Sequence, residues 1–348
     1  MSADQLHRDS FVLDLHTHGP GFVPRPFRAV WRGVTIRAPA EVGFDVLPRA
    51  GVDAAVAKAV GDPIVTRWYV GRSPWDAVEA QLSLIERQAA EAGAVVARSV
   101  DDLTSARARG VPAVVLGVEG ADALGDELDR IDAWHERGVR ALVLVHLRDN
   151  ALGTTCLPWQ RYAGPVPVRR QVAPGLTRLG TRVVERMNRL GVLVDVAHAD
   201  RATLLGVVDV AAAPIVSSHT GARAVQDFAR YLADDELRAI ASTGGVVGLW
   251  PYRARRYGVQ TVSDLIAHAH HIADAIGPEH LAIGTDMNGV PAVMAGYQGE
   301  ADLPKLTAAL VGGGFDDREV EGILGANALR VLARVEAARG AERRPDLA

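Results

Sequence analysis

Seven residues able to coordinate a metal ion stand where apolar runs of the chain end. They are His16 and His18 in "FVLDLHTHGP", Glu119 in "VPAVVLGVEG", His146 in "VRALVLVHLR", His198 in "VLVDVAHA", His219 in "PIVSSHT" and Asp286 in "HLAIGTDMNG". Imidazole nitrogens and carboxylate oxygens suit Zn²⁺ or a similar divalent ion. Even four histidines and two carboxylates exceed the three protein ligands of a typical single catalytic zinc, so the surplus points to two cations. Two cations held close need an anionic bridge, because their repulsion is large at low dielectric. A carbamylated lysine or a glutamate could bridge. Neither Lys58 nor Lys305 ends the third or fourth strand, so Glu119 is the natural bridge. A hydroxide between the metals would then be the nucleophile, since metal binding lowers the pKa of water to near neutrality.

Such a constellation needs elements that converge. Apolar runs alternate with helical patterns along the chain, and eight of them read as strands, at 11–16, 52–60, 111–120, 139–148, 192–199, 214–220, 246–252 and 280–289. Between them lie amphipathic stretches such as "PWDAVEAQLSLIERQAAEAG", with Pro74 near its start and Gly93 past its end. Near-continuous apolar strands alternating with helices predict a parallel sheet covered on both faces. About eight such units predict a (β/α)8 TIM barrel followed by C-terminal helices, as one domain over residues 1–348 with its core at about 11–335. Barrel active sites lie at the C-terminal strand ends, where the seven residues fall. On a regular strand Asp14, His16 and His18 would share one face, with Leu15 and Thr17 pointing away into packing. Asp14 is expected to orient a histidine or satisfy backbone groups. The other histidines fall in helical or terminal segments, apart from His280, which opens its strand at the opposite face.

Bulk properties narrow the function. The 348 residues are 48% hydrophobic and 23% charged, with a net charge of −4. No basic footprint argues for nucleic acid. The single cysteine, Cys156, forms no intrachain disulfide. No signal-like start or membrane-length apolar run is present. The expectation is a soluble cytoplasmic protein acting on a small molecule, with no nucleic-acid or membrane partner.

These residues and their flanks resemble the membrane (renal-type) dipeptidases, binuclear zinc enzymes of the amidohydrolase-like barrel group. The resemblance runs over about residues 11–335. It is carried by "GLTRLGTRVVERMNRLGVLVDVAHAD", "PIVSSHTGARAV", "ARYLADDEL", "LAIGTDMNGVP" and a closing G-x-N-x-x-R pattern at Asn327 and Arg330. It implies a metal-dependent dipeptidase using two Zn²⁺, with a D-residue admitted at the C-terminal position of the substrate. By position, His16 and His18 would hold one zinc, Glu119 would bridge, and His198 and His219 would hold the second. His146 would stabilise the oxyanion, Arg230 would grip the substrate carboxylate, and Asp286 would move the proton from water to the leaving amine. Dimers are common in the family, so a homodimer fits the resemblance.

The chain also departs from the family. His16-Thr17-His18 replaces His-x-Asp, removing one negative charge. Tyr231 and Ala233 follow Arg230 where Asn and then a short run to Pro are usual. Asn288 replaces the second acid of Asp-x-Asp-Gly, and Met287 precedes it. These changes leave open an amidohydrolase acting on N-acyl amino acids, cyclic amides or lactones, and, from another class, a non-catalytic metal-binding barrel. Tyr252, with Trp250, is placed in the substrate pocket, with packing under a loop as the alternative. The segment Val30–Pro39 is read as a lid or a dimer contact.

Overall fold

The computed structural model describes residues 1–24, 40–161, 173–254 and 257–340. The segment Val30–Pro39 lies outside the described residues. Nine parallel strands are present among those described: β1 (Leu13–Thr17), β2 (Ala54–Val60), β3 (Val95–Ala97), β4 (Ala113–Glu119), β5 (Val139–Val143), β6 (Leu193–Asp195), β7 (Val216–Thr220), β8 (Val246–Leu249) and β9 (Leu281–Ile283). All but β3 close into a ring, in the order β1-β2-β4-β5-β6-β7-β8-β9, through the β2–β4 and β1–β9 pairings. This is the expected (β/α)8 barrel.

The short β3 was not foreseen. It pairs with Ala113–Val115 of β4, while β5 takes up that strand only from Leu116 onward. Three residues are too short a run to stand out as a strand. The helices Val100–Ala108 and Arg201–Val210 also escaped the reading. The second, "RATLLGVVDV", is mostly apolar and rich in β-branched residues, so its period is weak. Local capping explains its start: the Asp200 carboxylate accepts from the Thr203 N–H.

Helices punctuated as expected form where predicted. Pro74–Glu91 starts at Ser73, whose hydroxyl accepts from the Asp76 N–H. Arg178–Leu190 ends on Gly191, left-handed at φ 70°. The G-x-N-x-x-R segment proves to be a fastener at the far end of the barrel. Asn327 Nδ2 donates to the carbonyls of Pro278 and Leu281, and Arg330 donates to those of Gly244 and Glu279. No helix among the described residues is long and apolar enough to cross a membrane.

Two strands are irregular where they carry ligand candidates. From Asp14 to Thr17, β1 advances three residues while β2 advances two, from Ala55 to Ala57. From Ser217 to Thr220, β7 likewise gains one residue on β8. Each is a bulge, the device by which a strand re-aims side chains beside a site. They coincide with His16 and His219.

Candidate metal centre and active site

The bulge in β1 changes what its side chains do. Asp14 does not join His16 and His18. Its carboxylate accepts from the backbone N–H of His16 and of Thr285 and from the Thr285 hydroxyl. Burial, reinforced by Glu300, pushes Asp14 up to about 7. Leu15 packs in the apolar core as expected, whereas Thr17 donates to Glu300 Oε1 at 2.8 Å.

The other residues converge. His16 and His18 present their Nε2 atoms to each other at 3.2 Å, and His198 and His219 present theirs at 3.0 Å. Two nitrogens on one tetrahedral zinc, with bonds of 2.0–2.1 Å, lie about 3.4 Å apart. Each imidazole pair therefore has close to the spacing of ligands to a single cation. Glu119 stands between the pairs. Its Oε1 is 3.4 Å from His16 Nε2 and 3.3 Å from His198 Nε2, and its Oε2 is 3.3 Å from His18 Nε2. Asp286 Oδ1 lies 3.4 Å from His18 and 3.7 Å from His16. The His146 Nε2 is 3.5 Å from Glu119 Oε2.

These groups fit a metal. Glu119 Oε1 is buried without a hydrogen-bond donor among the described residues. Buried polar atoms are normally paired, and a cation satisfies an orphaned carboxylate oxygen. The rear nitrogens of three of the four rings are held as ligand histidines require, while His198 Nδ1 is buried without a partner among the described residues. The His18 Nδ1 donates to the Lys58 carbonyl at 2.8 Å, and His16 and His219 each reach the Ser218 hydroxyl at 3.1 Å. Donating through Nδ1 leaves the Nε2 lone pair free to coordinate.

The electrostatics agree. Burial would lower the His18 pKa, but hydrogen bonds and charge from Asp286 and Glu119 push it up to about 10. A cation entering there displaces a proton. Burial, with Arg230 adding to it, holds His198 well below the usual histidine range; burial and then His16 do the same for His219. Burial favours a neutral Glu119, yet the positive field of His146 and His16 keeps it well below the usual carboxylate range. It stays anionic, as a bridge must.

Backbone strain is concentrated here. The non-glycine residues with left-handed φ among those described are His198 (67°), Asp286 (54°) and Asn288 (64°). At Gly289 a Cβ would fall 2.2 Å from Asp286 Oδ1 and 2.6 Å from His18 Cδ2, so only glycine lets these two approach. Asn288 gains a reason as well. Its Nδ2 donates to the carbonyls of His18 and Val42 while its Oδ1 accepts from the Val42 N–H, a pattern that a carboxylate cannot make.

Arg230 is buried, and the acidic pair Asp234-Asp235 is engaged by His271 and Arg201. Its guanidinium lies 4.9 Å from the Trp250 ring centroid, and one nitrogen reaches the His219 carbonyl at 3.4 Å. Trp250 also meets His219 edge-on and stacks on Tyr252 at 4.3 Å. Tyr252 is buried in this aromatic wall, which carries Phe228 and Tyr231 too. A cavity of about 150 Å³ opens beside Arg230 and His198. Burial raises the Cys156 thiol, which borders that cavity, against a role as nucleophile.

Sequence reasoning missed three participants. Asp62, two residues past β2, pairs with His146 Nδ1. Asp195 and Ser218 lie beneath the site. A polar residue ending an apolar run, as in "AVGDP", was the available signal for Asp62.

Known proteins share this sequence pattern and fold. Residues 2–345 match the family model of the membrane dipeptidases (Peptidase family M19). Dipeptidase tcpJ of Claviceps purpurea is 28% identical over 244 residues, 69% of this chain and 55% of that protein. Dipeptidase 3 of Mus musculus is 33% identical over 233 residues, 65% of this chain and 45% of that protein. The chain spans about half the length of the curated relatives it matches. Among solved structures, the probable dipeptidase PvdM from Pseudomonas aeruginosa superposes with a TM-score of 0.83 at 21% identity, covering 97% of this chain and 98% of that one. A metallopeptidase from Rhodobacter sphaeroides, liganded with a phosphinate mimic of L-Ala-D-Ala, gives 0.77 at 24% identity, covering 94% and 100%. These likenesses show the fold, and the family match over nearly the whole chain shows its kinship: the chain belongs to the membrane dipeptidase family, Peptidase family M19.

Proposed function

We propose that this chain is a binuclear metal-dependent dipeptidase, with Zn²⁺ as the resident cation. The observation that carries the reading is the pair of imidazole pairs set on either side of one anionic carboxylate. His16, His18 and Glu119 would hold one cation, and Glu119, His198 and His219 the other. When bound, the cations supply Lewis-acid charge and bring the pKa of water close to neutrality.

The chain's own groups supply the rest. Arg230 binds the substrate's terminal carboxylate through its planar fork, with Trp250 fixing the guanidinium plane. Tyr252 walls the same pocket through its stack on Trp250. His146, its rear nitrogen committed to Asp62, offers Nε2 to the oxyanion that forms from the scissile carbonyl. Asp286 accepts the proton of the attacking water and returns it to the leaving amine. Arg230, Asp62, Glu119 and Asp286 are buried and His146 is half-buried, so bulk water screens these charges little.

The test is hydrolysis of a panel of L,L and L,D dipeptides by purified protein supplied with Zn²⁺. Turnover that disappears on chelation and returns with metal is expected. A broad panel left intact with metal bound would overturn the peptidase reading. One observation favours a second reading, an amidohydrolase of N-acyl amino acids, cyclic amides or lactones. Tyr231 stands where the family has Asn, and its ring packs against Phe228 and His268 at the border of the cavity beside Arg230.

A further inference from the structure

Charged groups beneath the site remain unused by this chemistry. Lys58 lies in the middle of β2 and is 1% exposed. The space for it is made by Gly117, its register partner on β4, where a Cβ would fall 2.8 Å from Lys58 Cγ. Its ammonium meets Asp195 Oδ2 at 2.5 Å, Ser218 Oγ at 3.1 Å and His16 Nδ1 at 3.0 Å. The other Asp195 oxygen accepts from the backbone N–H of Ala197 and of Ser218. The Ser218 hydroxyl lies 3.1 Å from the Nδ1 of both His16 and His219. One hydroxyl thus backs two imidazoles that belong to different pairs. The Lys58 carbonyl meanwhile holds the Nδ1 of His18.

We propose that Lys58, Asp195 and Ser218 form one positioning bracket beneath the metal centre that sets both imidazole pairs together. The proposal rests on the binuclear reading above. Asp195 fixes the ammonium, whose charge lies against the Ser218 oxygen, and the two lone pairs of that oxygen accept the Nδ1–H of His16 and of His219; the approach of the ammonium to His16 Nδ1 is then a contact and not a hydrogen bond. Their Nε2 lone pairs then face the cations. The bulges in β1 and β7 bring these two rings to the shared oxygen. Partners that orient ligand histidines typically carry 10- to 100-fold in metal affinity. Because the hydroxyl is shared, its loss must weaken both cations, whereas independently held half-sites would lose one at most.

The experiment is competition for Zn²⁺ between a chromophoric chelator and the metal-stripped full chain, with Co²⁺ absorption reporting ligand geometry. The wild type is expected to bind two ions. Ser218→Ala is expected to weaken both by about 10- to 100-fold, and Ser218→Thr, which keeps the hydroxyl, to restore them. Lys58→Arg keeps the charge but moves it off the hydroxyl; it should weaken both ions and stands in if Ser218→Ala does not fold. A folded variant that loses affinity for one ion only, or for neither, would overturn the bracket. A wild-type chain that binds no Zn²⁺ would overturn the binuclear reading, and the bracket with it.

Discussion

The two ends of the barrel both gather charged and imidazole side chains, yet they use them in opposite ways. At the N-terminal end, Arg107 donates to the carbonyls of Asp9 and Ser10 and pairs with Asp53. The His280 Nδ1 donates to the Gly245 carbonyl, and Arg330 ties down two further carbonyls. A small cavity of about 30 Å³ there is bordered by Arg98, Arg140, Glu336 and Arg339. Each named nitrogen has an acceptor of its own. At the C-terminal end four imidazole nitrogens face one another across a single carboxylate, with almost no solvent contact. Groups of the first kind are complete and fasten the backbone. Groups of the second kind are incomplete until something positive joins them. The lesson is that burial and unsatisfied lone pairs separate a site from a fastener more sharply than the presence of charge.

That contrast can be broken in graded steps. Glu119→Gln removes the bridging charge, and turnover should fall by more than about 10³-fold, with metal lost alongside; steady-state assays with metal analysis check both. Asp286→Asn should lower kcat by roughly 10²- to 10⁴-fold, the usual contribution of a proton carrier, while much of the metal stays bound. Arg230→Ala should raise KM for dipeptides by about 10- to 100-fold, the worth of a charge-assisted hydrogen-bonded contact. It should hardly affect a neutral amide or lactone, so a variant indifferent on dipeptides would favour the second reading. The smallest effect belongs to the other end. Arg107→Ala should cost about 1–2 kcal/mol in denaturant unfolding and leave kcat/KM unchanged.

Much of the site was legible in the sequence because strand ends mark themselves. An apolar run that stops at His, Glu or Asp gives both the element and the place on it, as at Glu119 and His219. What escaped depends on relations between strands. Lys58 reads as an isolated charge in "AAVAKAV" until the register shows Gly117 across from it and Asp195 within reach. Asp14, by contrast, satisfies backbone groups as expected, taking the N–H of His16 and of Thr285. Asn288 reads as a lost acid until its amide is seen to join the backbone at His18 to that at Val42. Asp62 lies past the end of a strand, where no period constrains where a side chain goes. The eight barrel strands followed from hydrophobic pattern, whereas β3 and Arg201–Val210 did not, one being too short and the other too uniformly apolar.

The central claim is that the two imidazole pairs around Glu119 each hold a cation. Its most direct measurement is the metal content of the purified wild-type chain after equilibration with Zn²⁺ and removal of excess, read by plasma mass spectrometry. About two ions per chain are predicted. A ratio of one or below, unchanged by added metal at neutral pH, would contradict the account.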